Sequence, residues 1–283
     1  GFGQFGGYTW VPPVGDVHIK NTYTDLSSGS YGFELLLHEI GHGLGLKHPF
    51  ESPILNAQED NNSNTVMSYT HTSQSYATVP RLFDMAAIEY LYGVNTNYHS
   101  GNSTYHFSDR YIADGSGVDT FSANDQTQSV SVDLTPGSWN YVTQQASSIL
   151  SENQSFIAYG SFIEKVIGGH GDDNLTGNSL NNMLQGNDGN DLLSGGSGAD
   201  TLIGNAGRDT LIGGLGKDSY NLKEVVAASD TVRIAVGDSY LGAIDTITFF
   251  QFATDQLDLP NAHIIASVNA GDGTDFGRIL SHH

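Results

Sequence analysis

The chain of 283 residues contains no cysteine, so no disulfide framework holds it together. If it works outside the cell, something else must lock the fold. Basic side chains are almost as scarce: 10 Lys and Arg stand against 31 Asp and Glu, a formal net charge of −21. Charged residues make up only 14% of the chain, so the acidity reflects missing cations. Without a phosphate-neutralising patch, nucleic acid is excluded as a partner. No apolar run is long enough to span a bilayer. The opening residues, Gly1-Phe2-Gly3-Gln4-Phe5, resemble no signal peptide, and without an initial Met the chain is expected to be a fragment or a processed product. The acidity then has two readings, solubility or cation binding, and the placement of the aspartates decides between them.

One stretch carries most of the chemistry: His38-Glu39-Ile40-Gly41-His42-Gly43-Leu44-Gly45-Leu46-Lys47-His48. Its first five residues read H-E-x-x-H. Residues four apart share a helix face, so His38 and His42 point at one metal ion, with Glu39 beside them and not a ligand. His48 reaches the same ion only if the chain leaves the helix and turns back. Gly45 can adopt the left-handed backbone that such a turn needs. Three imidazoles around one zinc leave a fourth position for water. The helix is expected to start near Ser30, a plausible N-cap, with Leu35, Leu36, Leu37, Ile40 and Leu44 as its apolar faces. Downstream lies Thr65-Val66-Met67-Ser68-Tyr69. A lone Met is ordinarily core filling. Placed after the three-histidine pattern, Met67 resembles the Met-turn beneath the zinc of metzincin peptidases.

Together, the zinc stretch and Val66-Met67-Ser68-Tyr69 resemble the serralysins, secreted bacterial metzincin endopeptidases with a calcium-binding C-terminal domain. The resemblance implies that Tyr69 is a displaceable zinc ligand that also hydrogen-bonds the reacting carbonyl oxygen. A buried tyrosine with a satisfied hydroxyl is the alternative. The resemblance makes the run through Tyr8, Thr9, Trp10 and Val11 look like a sheet edge that pairs with an extended peptide substrate, though an ordinary strand reads the same way. Asp16 to Lys20 alternates like a half-buried strand. Family members carry further strands and a helix before this point, so the catalytic domain is expected to lack its N-terminal part. Pro80 to Gly93 has helical spacing, with Asp84 near its start and Gly93 at its stop, and is expected to pack under the zinc helix.

From residue 99 the composition shifts to Gly, Ser, Thr, Asn and Asp with short alternating runs, and reads as all-β. Asp114 and Asp119 flank a glycine turn, which is either an acidic turn or, as the resemblance implies, a calcium loop. Over 168–221 the chain repeats every nine residues on the pattern G-G-x-G-x-D-x-L-x. The carboxylate position reads Asp173, Asn182, Asp191, Asp200, Asp209 and Asp218, and the apolar position Leu175, Leu184, Leu193, Leu202, Leu211 and Tyr220. Two repeats make one coil of a parallel β-roll, the apolar residues stack inward, and aspartates eighteen apart share calcium with turn carbonyls. The calcium candidates are Gly168, Gly169, Gly171 and Asp173; Gly186, Asn187, Gly189 and Asp191; Gly195, Gly196, Gly198 and Asp200; Gly204, Asn205, Gly207 and Asp209; and Gly213, Gly214, Gly216 and Asp218. The repeat starting at Gly177 is degenerate, with Leu180 and Asn182 in place of a glycine and the aspartate, and is expected to bind weakly or not at all. A glycine-rich linker is the competing reading, opposed by the fixed spacing of the inward leucines.

The expected fold is therefore an α+β metzincin catalytic domain, N-terminally truncated, over residues 1–98, followed over residues 99–283 by an all-β parallel β-roll with a β cap formed from residue 222 on. The expected function is that of a secreted, extracellular, calcium-stabilised zinc metalloendopeptidase with one Zn²⁺ and several Ca²⁺. Its partners are protein or peptide substrates and a proteinaceous inhibitor; it is monomeric, and the resemblance implies bacterial type I export. Glu39 accepts a proton from the attacking water and passes it to the leaving amine. Two rivals stand beside this: a non-catalytic calcium-dependent surface or adhesion module with a truncated peptidase domain, and a zinc hydrolase of another substrate.

Overall fold

The computed structural model describes residues 7–9, 17–20, 22–51, 54–72, 75–148, 150–235, 237–238, 245–259, 265–269 and 276–280. The chain divides into two compact units, Gly1–Gly93 and Val94–His283.

In the first unit, strands β1 (Gly7–Thr9) and β2 (Val17–Ile19) pair antiparallel. Helix α1 spans Tyr31–Gly43. Ser30 caps it as its sequence suggests, its Oγ accepting the Phe33 N–H at 3.1 Å. The helix ends where Gly45 takes φ +95°. The Leu46 N–H then bonds to the Gly41 carbonyl and the Gly45 N–H to the His42 carbonyl. That pair of bonds is a Schellman stop, and it redirects the chain. Helix α2 spans Leu82–Tyr92. Its residues Ala87 and Ile88, with Leu37 of α1, pack on a small core of Leu46, Val66, Met67 and Ala77. Met67 is almost wholly buried. A Cβ at Gly41 would stand 2.5 Å from the Met67 sulfur, so glycine there lets the Met67 segment approach the helix closely. Among the described residues no helix is long and apolar enough to cross a membrane.

Among its described residues the second unit forms two nine-stranded sheets, and the chain alternates between them from Lys165–Ile167 to Ile265–Asn269. One sheet contains, in spatial order, Gln256–Asp258, Thr231–Arg233, Thr210–Gly216, Leu192–Gly198, Asn174–Thr176, Val130–Asp133, Trp139–Val142, Gln154–Ile157 and Tyr111–Ile112. The other contains Phe276–Leu280, Ile265–Asn269, Thr246–Thr248, Ser219–Asn221, Thr201–Ala206, Met183–Asp188, Lys165–Ile167, Thr120–Ser122 and Thr104–Tyr105. Within the repeats every pairing is parallel, and partners are eighteen residues apart: Leu175 faces Leu193, Leu193 faces Leu211, and Leu184 faces Leu202. These leucines are 0% exposed. Burying each stabilises the roll by about 1.5–3 kcal/mol, which explains why the apolar position is held so strictly.

The roll extends beyond the repeats on both sides. Val132 and Val166 continue the two columns of inward residues upstream. Downstream, Val232 stacks on Leu211 and Ile247 on Tyr220, again in parallel strands. The stretch from residue 222, expected to lie across the end as a cap, thus continues both sheets through its described strands up to Ile265–Asn269. Only Phe276–Leu280 turns antiparallel, at the edge.

Candidate metal centres

In the first unit, α1 and its stop bring His38, His42 and His48 together, and their ligand atoms all lie within 4.8 Å of one another. Each ring has an acceptor at Nδ1. That of His38 donates to the Val66 carbonyl at 2.8 Å, that of His42 to the Leu46 carbonyl at 3.0 Å, and that of His48 to Glu51 Oε1 at 3.3 Å. With the protons on Nδ1, each Nε2 keeps its lone pair. The Nε2 atoms of His42 and His48 face each other at 3.1 Å. Two lone pairs opposed at that distance repel unless a cation lies between them, and a tetrahedral zinc with bonds of about 2.0–2.1 Å needs ligand nitrogens about 3.3 Å apart. The three imidazoles fit that ion. Burial lowers the pKa of His38 to about 4, aided by the neighbouring His42 and His48, and burial also lowers that of His42. Both rings are therefore neutral near pH 7, the form that binds metal.

Glu39 is buried, and burial raises its pKa. The Tyr69 hydroxyl lies 2.6 Å from His48 Nε2. Its pKa is raised, first by burial and then by the carboxylates of Glu39 and Glu51. Phe50 stacks on His48 at 4.8 Å between centroids. Asp84, buried at the start of α2, accepts from the Val66 N–H at 2.9 Å and from the Thr65 hydroxyl at 2.5 Å. It therefore fixes the same peptide segment that orients His38. Beside His48 and Met67 a cavity of about 300 Å³ opens between Leu46, Leu55, Phe83 and Leu91. The backbone of Tyr8 and Thr9 lies in β1, whereas Trp10 and Val11 fall outside the described residues.

In the second unit the carboxylates form a ladder. The backbone N–H of each repeat's acidic position donates to the Oδ1 of the next one along the sheet: Asp173 to Asp191, Asn182 to Asp200, Asp191 to Asp209 and Asp200 to Asp218, all within 2.7–2.9 Å. The Oδ2 atoms of Asp191, Asp200, Asp209 and Asp218 are buried with no hydrogen-bond partner. A Cβ at Gly186, Gly195, Gly204 or Gly213 would collide with these oxygens, so the opening glycine of each repeat is small for the carboxylate's sake. Burial pushes the carboxyl pKa up to about 8 at Asp191, 6 at Asp200 and Asp209, and 7 at Asp218, with neighbouring carboxylates adding to it at Asp191, Asp209 and Asp218. Buried, unpartnered hard oxygens in glycine turns are the donor set that suits Ca²⁺. Asp173 differs, because both of its oxygens accept backbone N–H groups, from Val130 and Gly169.

The degenerate repeat has a different chemistry. The Asn182 amide donates to the Ile163 and Glu164 carbonyls, and that of Asn178 to Leu134 and Ile163. Protein acceptors take up the amide there, where the repeats of Asp191, Asp200, Asp209 and Asp218 leave an oxygen bare. Asp114 and Asp119 are both buried and each has one unpartnered oxygen. Burial lifts Asp119 to about 6, with Asp114 and Glu164 contributing. Tyr105 donates its hydroxyl to Asp114 at 2.5 Å.

Residues 3–104 match the family model of the M12B reprolysin-like metallo-peptidases, and residues 185–220 match that of the RTX calcium-binding nonapeptide repeat. The chain joins a reprolysin-like metallopeptidase domain to RTX calcium-binding repeats. It is 35% identical over 204 residues to a serralysin of Proteus mirabilis, an alignment covering 59% of this chain and 39% of that protein. It is 34% identical over 208 residues to the metalloprotease AprA of Pseudomonas entomophila (58% and 41% covered), and 37% identical over 181 residues to a serralysin C of Dickeya chrysanthemi (52% and 36% covered). The chain spans about two fifths of the length of these relatives.

Sequence reading missed the continuation of the ladder. Asp209 donates its N–H to Asp230 Oδ1 and Asp218 to Asp245 Oδ1, at 3.0 and 2.9 Å, and Asp230 donates to Asp255 Oδ1 at 3.3 Å. A usable signal existed: Asp230-Thr231-Val232 and Asp245-Thr246-Ile247 repeat the Asp-Thr-apolar order of Asp200-Thr201-Leu202 and Asp209-Thr210-Leu211.

Proposed function

We propose that the protein is a secreted, calcium-stabilised zinc metalloendopeptidase of the serralysin type. Residues 1–98 act as a metzincin catalytic domain, and residues 99–283 as the calcium-binding β domain. The observation that carries this reading is the pair of opposed Nε2 atoms of His42 and His48 at 3.1 Å, their Nδ1 atoms already engaged. His38 completes the ligand set. Zinc, when bound, supplies a Lewis acid for the scissile carbonyl and acidifies a water.

The protein's own groups do the rest. Glu39 takes the proton of the attacking water and delivers it to the departing amine. Its pKa, raised by burial, moves toward the working pH, which suits a group that must both accept and release a proton. Tyr69 donates its hydroxyl to the carbonyl oxygen as charge builds there. The cavity beside His48 receives an apolar substrate side chain, and the sequence run Tyr8, Thr9, Trp10 and Val11 pairs with the extended peptide. Calcium, plentiful outside cells, keeps the second unit folded there. The test is Glu39→Gln in the full chain. Casein cleavage should fall by about 10²–10⁴-fold with zinc content unchanged by metal analysis. Undiminished cleavage would end the proposal.

A further inference from the structure

We propose that Asp209, Glu224 and Asp230 form a calcium site of their own at the point where the nonapeptide repeat stops, with Glu224 in the place of the glycine turn. The inference rests on the reading of the second unit as a calcium-binding roll. Ligand oxygens of these three residues lie within 4.8 Å of one another. Asp209 and Asp230 are each 1% exposed, and Asp209 Oδ2 is buried with no hydrogen-bond partner. Its other oxygen accepts the Asp191 N–H, and Asp230 Oδ1 accepts the Asp209 N–H. Asp230 therefore takes the register position that the next repeat would have filled, although it comes 21 residues after Asp209 rather than eighteen.

The three extra residues lie in the stretch 222–229, which contains no glycine and a single acid, Glu224. Glu224 folds back to accept the N–H groups of Gly207 and Ala228, which anchors its carboxylate at the cluster. Among the described residues no lysine or arginine pairs with any of the three: Lys223, the nearest cation in sequence to Glu224, is directed over the Phe249 ring. Three carboxylates converging in a largely buried place repel unless a divalent cation binds them. Their hard oxygens select Ca²⁺, and a site with three charges holds it more tightly than one with two.

The test counts ions. The full chain, stripped by chelator, is titrated with Ca²⁺ by calorimetry alongside Glu224→Gln, Asp230→Asn and, as a comparison within the repeats, Asp191→Asn. Glu224→Gln keeps one oxygen acceptor for the loop while it removes the charge and the second acceptor. Loss of one ion per chain in Glu224→Gln and in Asp230→Asn, from the tightest class, supports the site. Should Asp230→Asn fail to regain β-structure by circular dichroism, the count for Glu224→Gln decides. An unchanged count in Glu224→Gln, with Asp191→Asn losing calcium, overturns this inference and leaves the calcium-binding roll standing. No calcium uptake by the parent chain overturns both.

Discussion

The two units prepare their metal sites in opposite ways. In the first, every ligand ring has a protein partner of its own: a backbone carbonyl for His38 and for His42, a carboxylate for His48. Neutral groups bear the cost of burial, and the surrounding core of Leu46, Val66, Met67 and Ala77 requires no ion to pack. In the second unit the protein buries a line of carboxylates and leaves one oxygen of Asp191, Asp200, Asp209 and Asp218 without a hydrogen-bond partner. That arrangement is untenable alone, because buried unpaired anions shift their pKa or demand a cation. The first unit holds its ligand rings in place with its own hydrogen bonds. The second leaves buried charge that a bound cation would offset.

The largest effect should come from breaking this contrast directly. Calcium chelation at pH 8 should abolish most of the β-signal of the second unit by circular dichroism, whereas zinc removal should leave the helical signal intact. Next comes Glu39→Gln, which affects turnover alone. A smaller effect is expected at the joint between helix and Met67 segment. Asp84→Asn weakens the hold on Val66 and should lower zinc affinity by about 10-fold, measured by competition with a chromophoric chelator.

The pH dependence of the calcium-free protein sharpens the comparison. The carboxyls of Asp191, Asp200, Asp209 and Asp218 have pKa values raised to about 8, 6, 6 and 7. A raised carboxyl pKa contributes stability below the unfolded value of about 3.9 and loses it as pH climbs through the folded value. Calcium-free protein should therefore melt at a higher temperature at pH 5 than at pH 8, and saturating calcium should remove the difference. The smallest effect is reserved for the odd repeat. Asn182→Asp sets a carboxylate against the Ile163 and Glu164 carbonyls. It should cost about 1–3 kcal/mol without calcium, by urea unfolding at pH 8, and recover part of that when calcium is added.

Much of this was legible in the chain. The zinc ligands announce themselves because a helix and one glycine stop fix their spacing, and Gly45 and Ser30 behave as their residue types require. The repeats are equally plain, since a strict period and an inward leucine leave little freedom. What escaped notice had lost its period without losing its role. The ladder steps from Asp209, Asp218 and Asp230 span 21, 27 and 25 residues, so loops of variable length hide strands that still stack in register. The contacts of Asp84 with the Val66 segment and of Glu51 with His48 were hidden for another reason. The first joins residues eighteen apart by tertiary packing, and the second, though only three residues apart, forms in an irregular turn after the helix where no regular period applies.

The alternation of the chain between two sheets limits how such a molecule can grow. Adding nine residues to the repeat region would send every later strand to the opposite wall and pair each leucine with the wrong column. Adding eighteen would lengthen the structure by one storey and leave all else where it was. Its length is thus adjustable only in double steps, and a lineage that gains or sheds single repeats must reshape a loop elsewhere to restore the parity.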